Sequence, residues 1–463
     1  MAMRRGTVAI GHAARLLLGP LALLALAGCG TAAVAPAATL APAATARSPL
    51  PPARATPLPT AAPTPTALPT STPLPDPPTA APTATSAPLS AARRAQIFSE
   101  VWTLVKTDYL YPDFDGLDWD AIRVEYAARV AAVENDEAFY RLMEELIGRL
   151  NDGHSRFVPP AAVADEDAFS SGHELHAGIG VVTIPSRDGA FIQLVLPGSP
   201  AERAGLRPRD RILAVNDRAY SSDDGDLQGP PGTTVRLSVV RPGERPRDVV
   251  LVRQELQGRI APYARRFPGE IGYIWVSTLW VSDMDEQVNG ALTELLAAGK
   301  LNGLILDLRG NRGGWGNVMN GILGHFVRGQ VGVFFKRTGT RPLVISAPAG
   351  PDLRAMRGRL AVLIDQDTAS YAELIAAILQ REARAIVVGM PSAGNTETIY
   401  AHALSDGSRL WLAQEGFRMQ DGTSLENHGV QPDSLVDVDW KRYSEDDDPV
   451  LLEALRLLGA GPK

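Results

Sequence analysis

Cysteine is almost absent from this chain of 463 residues, and lysine is scarce. A single cysteine, Cys29, excludes an intramolecular disulfide and a cysteine-built metal site. Five lysines (Lys106, Lys300, Lys336, Lys441 and Lys463) leave few candidates for an amine base. The formal charge is −7, with Lys+Arg 45 against Asp+Glu 52, and no basic block exists, which argues against nucleic acid as the main partner. Among the 7 histidines no His-Glu-x-x-His spacing occurs, so His173, His176 and His325 with nearby acids make no metal motif, and neither a metal nor a cofactor is expected. A membrane-length apolar run is also missing: Leu16 to Ala27 is too brief to span comfortably as a permanent helix.

That short run still carries meaning. Arg4, Arg5 and Arg15 precede it, and it closes on Leu26-Ala27-Gly28-Cys29, with small residues before the lone cysteine. Residues 1–28 therefore read as a signal peptide. The ending resembles the lipobox of bacterial lipoproteins, which implies lipidation of Cys29 and an extracytoplasmic, membrane-anchored location; a plain signal peptide ending near a cysteine is the alternative. Residues 29–89 are mostly Ala, Pro and Thr, too poor in large apolar side chains to offset the entropy of ordering, and are expected to form a disordered, extended stalk.

Folded sequence is expected from Ser90, a natural helix N-cap. Ile97, Phe98, Val101, Trp102, Leu104 and Val105, then Phe139, Leu142, Met143, Leu146, Ile147 and Leu150, recur at helical spacing and end at Asn151-Asp152-Gly153-His154. Residues 90–170 thus read as a helical domain. Short strands dominate 171–256. From 257 to 445 apolar strands (Ile271–Val276, Leu304–Asp307, Ala361–Asp365, Ala385–Gly389) alternate with helices, one of them from Tyr371 to Leu379, the pattern of an α/β layer fold. A C-terminal helix or tail fills 446–463.

The segment 171–256 resembles a bacterial PDZ domain, through Gly178-Ile179-Gly180-Val181, Gly198-Ser199-Pro200-Ala201-Glu202-Arg203-Ala204-Gly205-Leu206 and Asp210-Arg211-Ile212-Leu213-Ala214-Val215-Asn216. Such domains add an extended peptide to a sheet edge, and Gly178, Ile179, Gly180 and Val181 would form the loop that holds its carboxylate. A generic small β-domain is the alternative.

Two strand exits in the α/β region carry chemistry. Asp365-Gln366-Asp367-Thr368-Ala369-Ser370 places Ser370 where a buried strand ends and a helix begins, a position exposed at the carboxyl edge of the sheet. The helix N-terminus offers free N–H groups and positive potential to a developing oxyanion. A serine there also serves simply as an N-cap. Asp307-Leu308-Arg309-Gly310-Asn311-Arg312-Gly313-Gly314 is a glycine-rich exit whose backbone is open to a ligand.

Taken in order, these segments, with Ser392-Ala393-Gly394-Asn395 and Glu426-Asn427-His428-Gly429-Val430-Gln431-Pro432-Asp433, resemble the carboxyl-terminal processing (tail-specific) serine peptidases from about residue 95 to 440. The resemblance implies a multi-domain α/β protein with a ClpP/crotonase-like catalytic core, peptide-bond hydrolysis, Ser370 as nucleophile and an oxyanion hole of the Tyr371 N–H with that of Gly313 or Gly314. It departs at the lysine of the family's Ser–Lys dyad, replaced here by Asn395, and at a helix aspartate, replaced by Arg381. The tricorn-like branch instead uses Ser–His–Glu, which would map onto Ser370, His154 and Glu426; His402 and His428 are rival bases. Expected partners are polypeptides and, through lipid, the membrane, with no nucleic acid; oligomeric state is open. A catalytically inactive peptide-binding scaffold and a ligand-binding member of the same fold are the competing expectations.

Overall fold

The computed structural model describes residues 88–459 apart from 173–176, 222–226, 257–258 and 357–358. Cys29, most of the stalk, His173 and His176 lie outside the described residues. No helix among those described is long and apolar enough to cross a membrane.

The first helices form where caps and apolar spacing call for them. Ser90 accepts a hydrogen bond from the Arg93 N–H and opens the helix Ala91–Asp108; Asp118 and Asn135 do the same for Trp119–Ala132 and Asp136–Gly148. Their apolar faces do not close on one another alone. The same core contains Phe157, from just after these helices, and Leu404, Leu410, Leu412 and Ala413 from far along the chain. The segment 90–170, read from sequence as helical, also holds the strand Arg156–Val158, which pairs antiparallel with Arg409–Met419, Phe157 facing Leu410. A three-residue strand has no periodicity to betray it; its partner lies about 250 residues later.

The next sheet runs in the order Val181–Ser186, Gly189–Val195, Arg211–Val215, Thr234–Val240, Arg247–Val252, with Val181–Ser186 at one edge. Alternate residues Val235, Leu237 and Val239 point inward, the period of a strand with one buried face.

The α/β core has a six-stranded sheet ordered Tyr263–Phe267, Ile271–Trp275, Gly303–Asp307, Leu360–Ile364, Ile386–Gly389, Ser434–Leu435, parallel except for its first pair. Both faces are covered. Leu360, Val362 and Ile364 pack with the helices Met284–Ala297, Gly316–Gly324 and Tyr371–Glu382; Ala361 and Leu363 pack with Pro449–Leu457. A second sheet joins Arg156–Val158, Arg409–Met419, Gly329–Lys336 and Gly339–Ile345, and Thr398–Ala403 pairs with Arg409–Met419.

Candidate active site

Ser370 stands where Leu360–Ile364 has ended and Tyr371–Glu382 begins. Its φ is 56° and ψ −132°, unlike the extended backbone of an ordinary N-cap. A non-glycine residue held there costs about 1–3 kcal/mol and persists only when its surroundings over-determine it. Those surroundings are visible. The Ser370 N–H donates to the Asn395 carbonyl (2.8 Å) and to Glu373 Oε2 (3.0 Å). Glu373, fully buried, also accepts from Ser392 Oγ (2.5 Å), Gly394 N (2.7 Å) and Asn395 N (3.0 Å). One carboxylate thus ties the serine to the loop Ser392–Asn395. Burial pushes the Glu373 carboxyl up, and the four hydrogen bonds pull against it.

The two strand exits are stitched together. Gly310 N donates to Asp365 Oδ1 (2.9 Å), Thr368 Oγ1 to the Leu308 carbonyl (3.0 Å) and Ala369 N to the Asn311 carbonyl (3.0 Å). Gly313, at φ 86°, leaves no room for a side chain: a Cβ there would sit 2.7 Å from Ser370 Cβ. The Gly313 N–H is committed to Asn311 Oδ1 (2.9 Å). Gly314 and Tyr371, the other two oxyanion-hole candidates, line the same cavity as Ser370.

His154 follows a turn built by Asp152, whose carboxylate accepts from His154 N (2.9 Å), Ser155 N (2.7 Å) and Ser155 Oγ (2.6 Å). Ser155 Oγ in turn accepts from Ala413 N (3.0 Å), fixing the turn to the strand Arg409–Met419. His154 and Ser370, with Asn395, Gly314 and Tyr371, line one cavity of about 630 Å³, walled further by Trp280, Trp315 and Trp411. Burial lowers the pKa of His154, opposed by the charges of Asp152 and Glu426 and by Asn395. The Glu426 carboxylate accepts from Thr396 N (2.7 Å) and Thr396 Oγ1 (3.0 Å) and reaches the imidazole through its field.

The rival histidines lie elsewhere. His402 Nε2 meets Gln414 Nε2 at 2.6 Å, His428 Nδ1 meets the Glu426 carbonyl at 2.7 Å, and neither is among the residues lining the cavity. His325 is buried with Nδ1 at the Pro351 carbonyl. Arg381 faces Asp421 at 2.6 Å, on the surface. No cluster of three or more metal-ligating side chains occurs among the described residues.

Sequence reasoning passed over Glu373, although Ser370-x-x-Glu373 is the capping-box spacing and could have drawn attention to it. It also passed over Glu397, which is 3% exposed and accepts a hydrogen bond from Tyr111. In the β-domain, Gly178–Val181 leads into the edge strand, but the Ile179 N–H already donates to the Leu227 carbonyl (3.3 Å) and the Ile179 side chain is in the core.

Comparison with known proteins assigns these parts. Residues 270–436 match peptidase family S41, 90–148 the tricorn protease C1 domain and 191–241 a PDZ domain. The chain carries a peptidase family S41 domain. The chain is 29% identical over 388 residues to a carboxyl-terminal-processing protease of Synechocystis sp., covering 81% of this chain and 88% of that protein. It is 29% identical over 358 residues to the chloroplastic carboxyl-terminal-processing peptidase 2 of Arabidopsis thaliana (73% and 68% covered). Among solved structures, the photosystem II D1 C-terminal processing protease superposes with a TM-score of 0.55 at 26% identity, over 80% of this chain and 98% of that one. An S41 protease from Bacteroides fragilis superposes with a TM-score of 0.56 at 17% identity (78% and 97% covered), a likeness of fold. The chain is a serine-type peptidase with a PDZ domain.

Proposed function

We propose that the protein is an exported, lipid-anchored endopeptidase that cleaves polypeptides through Ser370, His154 and Glu426, near C-termini selected by the PDZ domain. The observation that carries this is the convergence of His154 and Ser370 on one cavity in a chain whose lysine position holds Asn395. As the bond from Ser370 Oγ to the substrate carbonyl carbon forms, the hydroxyl proton passes to the imidazole and then to the amine that leaves as the C–N bond breaks. Water, giving a proton to the same imidazole, attacks the acyl-serine ester, and that proton returns to Ser370 Oγ as the acid product leaves. Burial favours the neutral imidazole, the form that accepts a proton at pH 7. The charges of Asp152 and Glu426 stabilise the imidazolium once it forms. The oxyanion would be met by the Gly314 and Tyr371 N–H groups and the N-terminal end of Tyr371–Glu382. Substrates named for relatives, proteins processed at their C-termini, suit the edge strand Val181–Ser186, which can take up a peptide as an added strand. Lipidation at Cys29 would anchor the chain outside the cytoplasm.

The test is hydrolysis of an unfolded protein by the purified chain. Ser370→Ala and His154→Ala should each lower kcat by about a thousandfold or more; undiminished activity of Ser370→Ala overturns the assignment. Wild-type protein that binds terminal peptides without turnover would favour the inactive scaffold.

A further inference from the structure

Asn395 occupies the place where the family's dyad would put a base, and an amide cannot serve as one. Its surroundings give it another task. Its carbonyl accepts the Ser370 N–H at 2.8 Å, and its own N–H donates to Glu373 Oε2 at 3.0 Å, so its backbone is locked to the serine turn. Its carboxamide lies against the histidine turn: a Cβ on Gly153 would stand 3.0 Å from Asn395 Nδ2, and Gly153 has φ 72°. Asn395 favours the charged form of the His154 ring. Two buried polar atoms here have no hydrogen-bond partner among the described residues, His154 Nε2 and Asn395 Oδ1, on neighbouring side chains that line the same cavity. Leaving such atoms unpaired is unfavourable.

We propose that Asn395 is the positioning residue of His154, its side-chain oxygen serving as the acceptor that the imidazole requires when it takes the serine proton. The proposal rests on the Ser370–His154 assignment above. An imidazolium has two N–H groups; one must be free to protonate the leaving amine, and the other needs an acceptor. Glu426, held by Thr396, and Asp152, held by its own turn, act on the ring by charge, and beyond them lie Glu397 and Tyr111. Asn395 is bonded to the Ser370 N–H and also lies against the turn that carries His154. A neutral amide fixes the ring without adding a third charge to the site.

The experiment compares full-length Asn395→Ala and Asn395→Asp with Ser370→Ala and His154→Ala, measuring kcat, KM and pH profiles on an unfolded protein, with melting followed by circular dichroism. Asn395→Ala should lower kcat about 10- to 100-fold with KM within about threefold. Asn395→Asp, which keeps the acceptor, should recover most of kcat on the alkaline side and move the acidic limb up by about one pH unit. Wild-type kcat and profile in Asn395→Ala overturn the proposal, as does an unmoved acidic limb in Asn395→Asp, which decides the matter if the alanine variant does not fold. Full activity in His154→Ala instead removes the base assignment on which the proposal stands, and the two failures are thereby distinct.

Discussion

Replacing Glu373 by glutamine tests whether one buried carboxylate organises the site. The side chain keeps its shape, but one oxygen becomes an NH2 group facing donors. If the amide replaces Oε2, Ser370 N retains the Asn395 carbonyl at 2.8 Å while Asn395 N loses its acceptor. If it replaces Oε1, Ser392 Oγ can turn to accept, since it already accepts from Val430 N at 2.6 Å, and Gly394 N is orphaned. Either way one buried N–H is left against a donor, and bonds to a charged acceptor become bonds to a neutral one. At about 1–3 kcal/mol for an orphaned group and up to about 1 kcal/mol for each weakened bond, the loss is about 3–4 kcal/mol. Removing a buried charge that burial already disfavours offsets part of this. The net expectation is destabilisation by about 2–3 kcal/mol, which for a folded part of this size lowers Tm by roughly 5 °C. Because the same bonds hold Ser370 at its positive φ, kcat should fall at least tenfold at temperatures where the variant is fully folded. Denaturant unfolding followed by circular dichroism, with peptidase assays on the same samples, reads both. A variant within about 0.5 kcal/mol of wild type and with unchanged kcat would refute the claim that Glu373 holds the serine turn to the Asn395 loop.

Two further outcomes are expected. Burial pushes the Glu397 carboxyl up to about 8 from an ordinary 4.5, the nearby Glu426 and Asp152 charges adding to the rise and the Tyr111 hydrogen bond opposing it. Protonation therefore favours the folded state: the contribution is fully present below pH 4.5 and is lost as pH rises through about 8, an interval worth up to about 5 kcal/mol. Glu397→Gln should flatten this part of the stability profile and exceed wild type above pH 8 in denaturant titrations; a profile parallel to wild type would contradict it. Gly313→Ala, whose Cβ would press 2.7 Å from Ser370 Cβ at a backbone φ of 86°, should cost about 1–3 kcal/mol of stability and about a hundredfold in kcat, and an active, wild-type-like variant would show that the turn has room to spare.

Much of the fold was legible because its signals are local. Ser90 caps the helix where the apolar spacing starts, and the helix expected from Tyr371 runs to Glu382. The strands around Leu304–Asp307 and Ala361–Asp365 were marked by unbroken apolar runs, as strands buried on both faces are. Arg156–Val158 was missed, since three residues carry no period. Glu373 was read past because a glutamate in the first turn of a helix is ordinary; only the arrival of Ser392–Asn395 from the next strand exit makes it the hub of four hydrogen bonds.

The sequence by itself determined the order of the elements, the strand-to-helix turn at Ser370, the glycine-rich turn beside it and the lack of a lysine at position 395. These depend on residues a few positions apart. The tertiary structure alone decided that His154, 216 positions before Ser370, shares its cavity, and that Asn395 lines it with them. The physical cause is the incomplete core of the N-terminal helices: they bury their apolar faces only by including Leu410, Leu412 and Ala413, and that burial carries the Asp152–Ser155 turn to the serine.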